Sequence, residues 1–431
     1  MIDDPRSSVE PSVEPDLDAD LDLDTGLDPA ADPLRAVVPF EQALAGLLAS
    51  ADPAAERPWL QALSNARADD VVAWRRAAAE APAERRLQLA RALKARADDD
   101  FYVNYKPLFI ALLDDPAPAV RATAIGGLWE ATEPRLLDRY AELLAHDLDP
   151  AVRAAAAEAI GPYIERAELD ALDRSRVAPA LELVLAAAAD TAAPLALRCA
   201  AVASAGWSET AAAGAVVATA LAGPQPALVA AGLVAVGRSA DDGWAADVLA
   251  HLGSAEPTIQ AAAAYAAGAL GLRAAVAPLA RVAQDAPTAV RRAAIEALGE
   301  IGGYRAVLAL EALAESEVDD GLVEVIDHAA EAAALGELDT DVGAPAGAAD
   351  DDDIVGWLRD HGAADELDGW IDDEDEDEVE DAVSLGRALR HGAPGGDDDS
   401  DDADEAAEGA PWPDDEDEID REAWAWDEDE R

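Results

Sequence analysis

The residues of this chain best suited to chemistry are few and scattered: five histidines (His146, His251, His328, His361 and His391), one cysteine (Cys199) and the run Asp20-Leu-Asp22-Leu-Asp24-Thr-Gly26. A metal centre needs His, Cys or carboxylate side chains at ligand spacing, and no two of the histidines lie within a helical turn of each other. Cys199 stands in the apolar stretch Leu197–Val202, the setting of a buried filler, and a lone cysteine makes no intrachain disulfide. In a calcium-binding EF-hand loop Gly stands sixth and Glu twelfth; counting from Asp20, those places hold Thr25 and Ala31, so the run is a solvated acidic stretch. Gly-rich phosphate loops and nucleophile elbows are also absent from the sequence. The expectation is no catalytic residue, no cofactor and no metal.

Binding, rather than reaction, has better candidates. Between 75 and 96 stand Arg75, Arg76, Arg85, Arg86, Arg91, Lys94 and Arg96 against only Glu80 and Glu84. Neighbouring acids (Asp69, Asp70, Asp98, Asp99 and Asp100) could neutralise this stretch locally; alternatively it docks an acidic, Trp-bearing segment of this chain or of a partner. Such segments exist: Trp357, Trp370, Trp412, Trp424 and Trp426 lie in the acidic C-terminal part. Ile354-Val-Gly-Trp357-Leu358 and Leu367-Asp-Gly-Trp370-Ile371 have the look of short amphipathic stretches that fold against a groove, and large aromatics are the usual anchors of interfaces. Trp129, Trp207 and Trp244 fall near helix ends and are expected to pack.

The elements that position these residues follow from internal repetition, the strongest fold signal in a sequence. Gly206, Gly237, Gly268 and Gly299 recur at a spacing of 31, as do Leu197, Leu228, Ile259 and Val290. Earlier copies begin at Val120-Arg121 and Val152-Arg153, and the longer step from Arg153 to Arg198 implies an insertion around 162–175. Apolar positions recur at helical spacing without alternation, which predicts helices and no strands. Pro116, Pro150, Pro194, Pro226, Pro257 and Pro287 suit first helical turns, where a missing N–H costs nothing. The repeated glycines are expected to close the first helix of each pair in a left-handed conformation. Arg121, Arg153, Arg198 and Arg291, with Asp115, Asp149 and Asp285 ahead of three of them, form a register expected to tie neighbouring repeats together. The fold class is therefore all-α, an α-solenoid of antiparallel helix pairs with a period of about 31.

The Asp-Pro-x-x-Val-Arg opening and the turn Ala297-Leu298-Gly299-Glu300-Ile301-Gly302 resemble HEAT repeats, specifically the short variety named for phycocyanobilin lyases. The resemblance covers roughly residues 83–336; residues 36–82, helical over Phe40–Ser50 and Asp70–Ala79, are expected to form an N-terminal cap. Deoxyhypusine hydroxylase, an enzyme of similar repeats, holds two irons with His-Glu dipeptides; here no histidine precedes a Glu. The resemblance implies a non-catalytic scaffold or adaptor that grips a protein partner. The alternatives are an accessory or lyase-type enzyme of the same group, and an acidic chaperone or decoy for basic proteins.

Charge sets the remaining limits. The chain has 91 acidic and 31 basic residues, a net charge of −60, and only two lysines, Lys94 and Lys106. Excess acid with lysine almost eliminated resembles proteins of salt-in halophiles, particularly haloarchaeal ones, where molar salt shortens the Debye length to roughly 3 Å and relieves self-repulsion. Such a charge argues against nucleic-acid binding and against docking on anionic lipid. No apolar run reaches bilayer-spanning length and the start lacks a secretory pattern, which points to the cytoplasm. Residues 1–32 hold 11 acids and one base, and residues 337–431 hold 39 acids and five bases. Segments so charged cannot bury enough apolar surface to offset the entropy of ordering. The expected organisation is a disordered acidic segment over 1–35, the solenoid over 36–336 and a mostly disordered, Trp-containing tail over 337–431.

Overall fold

The computed structural model describes residues 38–317 and 319–336, and every regular element among them is helical. The acidic end segments, with Trp357, Trp370, Trp424 and Trp426, lie outside the described residues. The chain divides into two compact units, meeting at Ala131 and Thr132. Among the described residues, no helix is long and apolar enough to cross a membrane.

The first unit contains α1 (Phe40–Ala49), α2 (Arg57–Ala62), α3 (Ala68–Glu80), α4 (Ala83–Asp99), α5 (Lys106–Leu112) and α6 (Pro118–Gly126). Bulky side chains fill its core: Phe40, Leu44, Leu47, Leu60, Trp74, Leu89, Leu93, Tyr105, Leu108 and Phe109 are all buried. Large, irregular side chains leave gaps, and a cavity of about 10 Å³ lies among Leu44, Leu48, Trp74, Arg86, Leu89 and Leu112.

The second unit is more regular. It begins with α7 (Pro134–His146), α8 (Pro150–Glu168) and α9 (Arg174–Ala189), continues through α10 (Leu195–Ala205), α11 (Ala211–Leu221), α12 (Pro226–Ser239) and α13 (Ala245–Leu252), and ends with α14 (Pro257–Ala269), α15 (Val276–Asp285), α16 (Thr288–Ile301), α17 (Tyr304–Ser316) and α18 (Asp320–Gly336). The even-numbered helices α8 to α18 pack each on the next, while odd-numbered neighbours such as α7 and α9, or α15 and α17, form a second row. This is an α-solenoid of helix pairs stacked in series. The insertion after Arg153 lengthens one pair: α8 and α9 have 19 and 16 residues, against 11 in each of α10 and α11. Pro150, Pro226 and Pro257 each open a helix, where the missing N–H leaves no bond broken.

The repeated glycines do not close their helices in the left-handed conformation. Gly206 has φ −59°, and Gly237, Gly268 and Gly299 lie within the spans of α12, α14 and α16. Their role is close approach between successive even helices. A Cβ on Gly206 would fall 2.5 Å from Ala235 Cα, one on Gly268 2.9 Å from Ala297 Cα, and one on Gly299 3.0 Å from Ala329 Cα. Gly237 lies under the Tyr265 ring, 2.8 Å from where its Cβ would be. A positive φ comes three residues later in the repeat, at Ala240 (φ 49°), Gly271 (φ 60°) and Gly302 (φ 66°), again 31 apart.

Candidate interaction surface

The arginine register connects neighbouring helix pairs. Arg153 Nε–H donates to the Leu144 carbonyl (2.8 Å) and Arg291 Nε–H to the Ala283 carbonyl (2.7 Å), each in the last turn of the preceding odd helix. Those carbonyls have no intrahelical partner, so a cation there satisfies hydrogen bonds and the helix dipole together. Arg291 is also ion-paired with Glu317, ahead of α18. Arg198 reaches Gln225, the residue before α12 (3.3 Å), and Arg121 donates to the Asp115 carbonyl (2.6 Å). The sequence reading missed Gln260, 31 residues before Arg291, whose Nε2 donates to the Leu252 carbonyl (2.9 Å). Its spacing was the available signal, obscured because the residue type differs.

Several cations of the basic stretch have partners within the protein. Arg86 makes a two-pronged contact with Asp115 (Nε–Oδ2 2.6 Å, Nη2–Oδ1 2.8 Å), with side chains only 10% and 4% exposed. The Asp115 carboxylate holds the Arg86 guanidinium above its usual pKa. Lys94 pairs with Asp98 (2.8 Å) and Arg96 with Asp100, while Arg85 bonds the Ser50 carbonyl and Gln88. Arg75, Arg76 and Arg91 are exposed on α3 and α4.

Groups with chemical potential are held in structural settings. Cys199 is buried, and burial pushes its thiol up to about 11 against the lowering effect of Arg198, so it stays protonated. Tyr140 and Tyr163 meet edge to face, ring centroids 6.2 Å apart, and burial raises both phenols. Tyr163 donates to the Glu133 carbonyl (3.1 Å). Among the described residues, no group of three or more His, Cys, Asp or Glu is placed to hold a metal ion. Trp207 packs against Gly161 and lies 5.5 Å beneath the Arg238 guanidinium, a packing position as expected.

The surface shows what the sequence did not. Trp129, expected to pack, is 59% exposed, and Phe101 and Tyr102, which the sequence reading passed over, are 86% and 91% exposed. All three stand just past the C-terminal ends of α4 and α6. In the second unit, α11 carries no charged residue, and its outer side presents Ala211, Ala212, Ala215, Ala218 and Thr219. It lies beside α9 in the odd row, where Ala178, Pro179, Glu182 and Ala186 are exposed.

Residues 105–193 and 245–336 match the family of HEAT repeats. Residues 194–244 fall between those matches, although α10 to α13 follow the same pattern of paired helices. Among curated proteins, none matches the chain. Similar solved structures include human deoxyhypusine hydroxylase in complex with glycerol, at 19% identity and a TM-score of 0.28, covering 62% of this chain and 99% of that one. The E. coli protein YibA is similar at 16% identity and a TM-score of 0.37, covering 64% of this chain and 96% of that one.

Proposed function

We propose that this HEAT-repeat chain is a non-catalytic scaffold that binds a protein partner at high salt. The observation that carries the reading is the uncharged outer side of α11 in a chain where 28% of residues are charged. Solvent-facing helix positions of so acidic a protein ordinarily carry carboxylates. Alanines there lower the cost of desolvation and let a partner approach closely, and contiguous exposed apolar surface marks interaction sites. The arginines and glycines of the repeat are occupied in holding helix pairs together, which leaves the odd-numbered row as the surface free to vary. Stacked repeats of this kind present extended surfaces to partners, which supports the reading by analogy of fold.

The test is capture of partners from the native host's extract in 2 M KCl, comparing the full chain with an Ala215→Glu/Ala218→Glu variant. Both positions are exposed, so the melting temperature should not change. The reading expects a defined protein retained by the parent chain and reduced at least tenfold by the variant. Equal retention by both chains would place the contact elsewhere and remove the support from α11.

A further inference from the structure

Two register positions of α10, α12, α14 and α16 change chemistry from copy to copy, whereas the glycine position beside them does not. One position holds Trp207, Arg238, Ala269 and Glu300, the other Ala203, Val234, Tyr265 and Glu296, each series 31 apart. None of these eight residues is buried. They share one continuous face. Arg238 rests on the Trp207 ring, the Tyr265 ring covers Gly237 beside Arg238, and the Glu300 carboxylate lies over Gly268 beside Ala269. Partial burial raises the Glu300 carboxyl, and the neighbouring Glu296 charge raises it further. Neither glutamate has a hydrogen-bond or ion-pair partner among the described residues, and Arg238 has no acidic partner there.

Charge is sorted along this row of helices. α10 and α12 carry one cation each, Arg198 and Arg238, and no acid. α14 carries no charge. α16 sets Glu296 and Glu300 beside Arg291 and Arg292, and α18 carries Asp320, Glu324, Asp327 and Glu331 with no Lys or Arg. Packed helices lie about 8–10 Å apart, so Arg238 and Glu300 stand roughly 20 Å apart on either side of α14. A half-turn about an axis along α14 therefore lays the cationic half of one copy on the acidic half of another. Residues on such an axis meet themselves, and a charge there would repel its own counterpart. The uncharged α14 meets that condition, and it brings Tyr265, a side chain typical of interface cores, next to its counterpart. Arg292 then falls opposite the uncharged stretch Ala230–Val234. We infer that this face of the second unit binds a second copy of the chain across a two-fold axis along α14, with Arg238 of each copy against Glu296 and Glu300 of the other. The chain's own residues 337–431, with 39 acids and five bases, would instead bring like charge to the two glutamates. Long-range repulsion between two chains of −60 opposes pairing, and molar salt removes it. Ion pairs made in contact and partly buried are screened much less, so the dimer belongs to high salt. The face is distinct from α11, and the inference does not need the scaffold reading.

Sedimentation equilibrium of the full chain is the test, with circular dichroism to confirm that each variant is folded. The parent should be a dimer in 2 M KCl and a monomer in 0.1 M KCl. In 2 M KCl, Arg238→Glu should weaken dimerisation by roughly tenfold or more, because it sets acid against acid at both ends of the face. Glu296→Arg/Glu300→Arg should do the same by setting cation against cation. An equimolar mixture of these two variants should pair again, since one face is then all acidic and the other all basic. The variant carrying all three changes should recover the homodimer. A parent that stays monomeric in 2 M KCl would overturn the inference, as would a dimer indifferent to both reversals or a mixture that fails to pair. A monomeric parent that still retained a host protein through α11 would remove the dimer and leave the scaffold reading standing.

Discussion

The two units are made of similar helices but held together by different means. Residues 38–131 contain 11 basic and 13 acidic residues, and residues 132–336 contain 13 and 28, so the first is nearly neutral and the second carries −15. All three phenylalanines of the chain lie in the first unit, whose core is bulky and whose α4 is fixed by the buried Arg86–Asp115 pair. The second relies on close helix approach over Gly206, Gly237, Gly268 and Gly299, with small alanines alongside. A bulky core tolerates irregular helix lengths and needs a specific polar lock. A small-residue core needs backbones nearly in contact, which regular repetition provides at every step.

The sharpest way to break the comparison is to remove each unit's own device. Arg86→Met would leave the Asp115 carboxylate buried without its cation, and the expected loss is about 3 kcal/mol or more. Amide exchange should report the loss in residues 38–131, with α12 to α17 keeping their protection. Uniform loss across both units would show that they unfold as one. Gly206→Val should cost about 3 kcal/mol in the second unit, because the added atoms meet the backbone of α12, which cannot yield as a side chain can. Chemical denaturation followed by Trp fluorescence would show it as a lowered midpoint. A midpoint within error of the parent would remove close approach as the reason for the glycine spacing.

Salt should separate the units more gently. Lowering KCl from 3 M to 0.1 M unscreens the second unit's −15 but little in the first. Exchange should therefore accelerate more over residues 132–336 than over residues 38–131. Equal acceleration would mean that charge balance does not govern local stability. The smallest change is a gain. Ala240 takes a left-handed conformation, and one and two repeats later the equivalent positive φ falls on Gly271 and Gly302, so Ala240→Gly should stabilise by about 1 kcal/mol and raise the melting temperature slightly. A fall instead would mean that the cost in unfolded-state entropy exceeds the relief of strain.

The sequence by itself determined the helical class and the 31-residue period, because repetition makes each copy confirm the others. It also marked Cys199 as a buried filler, from the apolar residues on either side. Only the tertiary structure assigned the glycines to helix contact, since a glycine needed for close approach and one needed for a left-handed turn look alike in a sequence. Likewise, only the structure revealed that Gln260 does the work of an arginine and that Phe101, Tyr102 and Trp129 face water. Exposure depends on what the rest of the chain brings over a side chain, and local composition around these three gives no sign that nothing does.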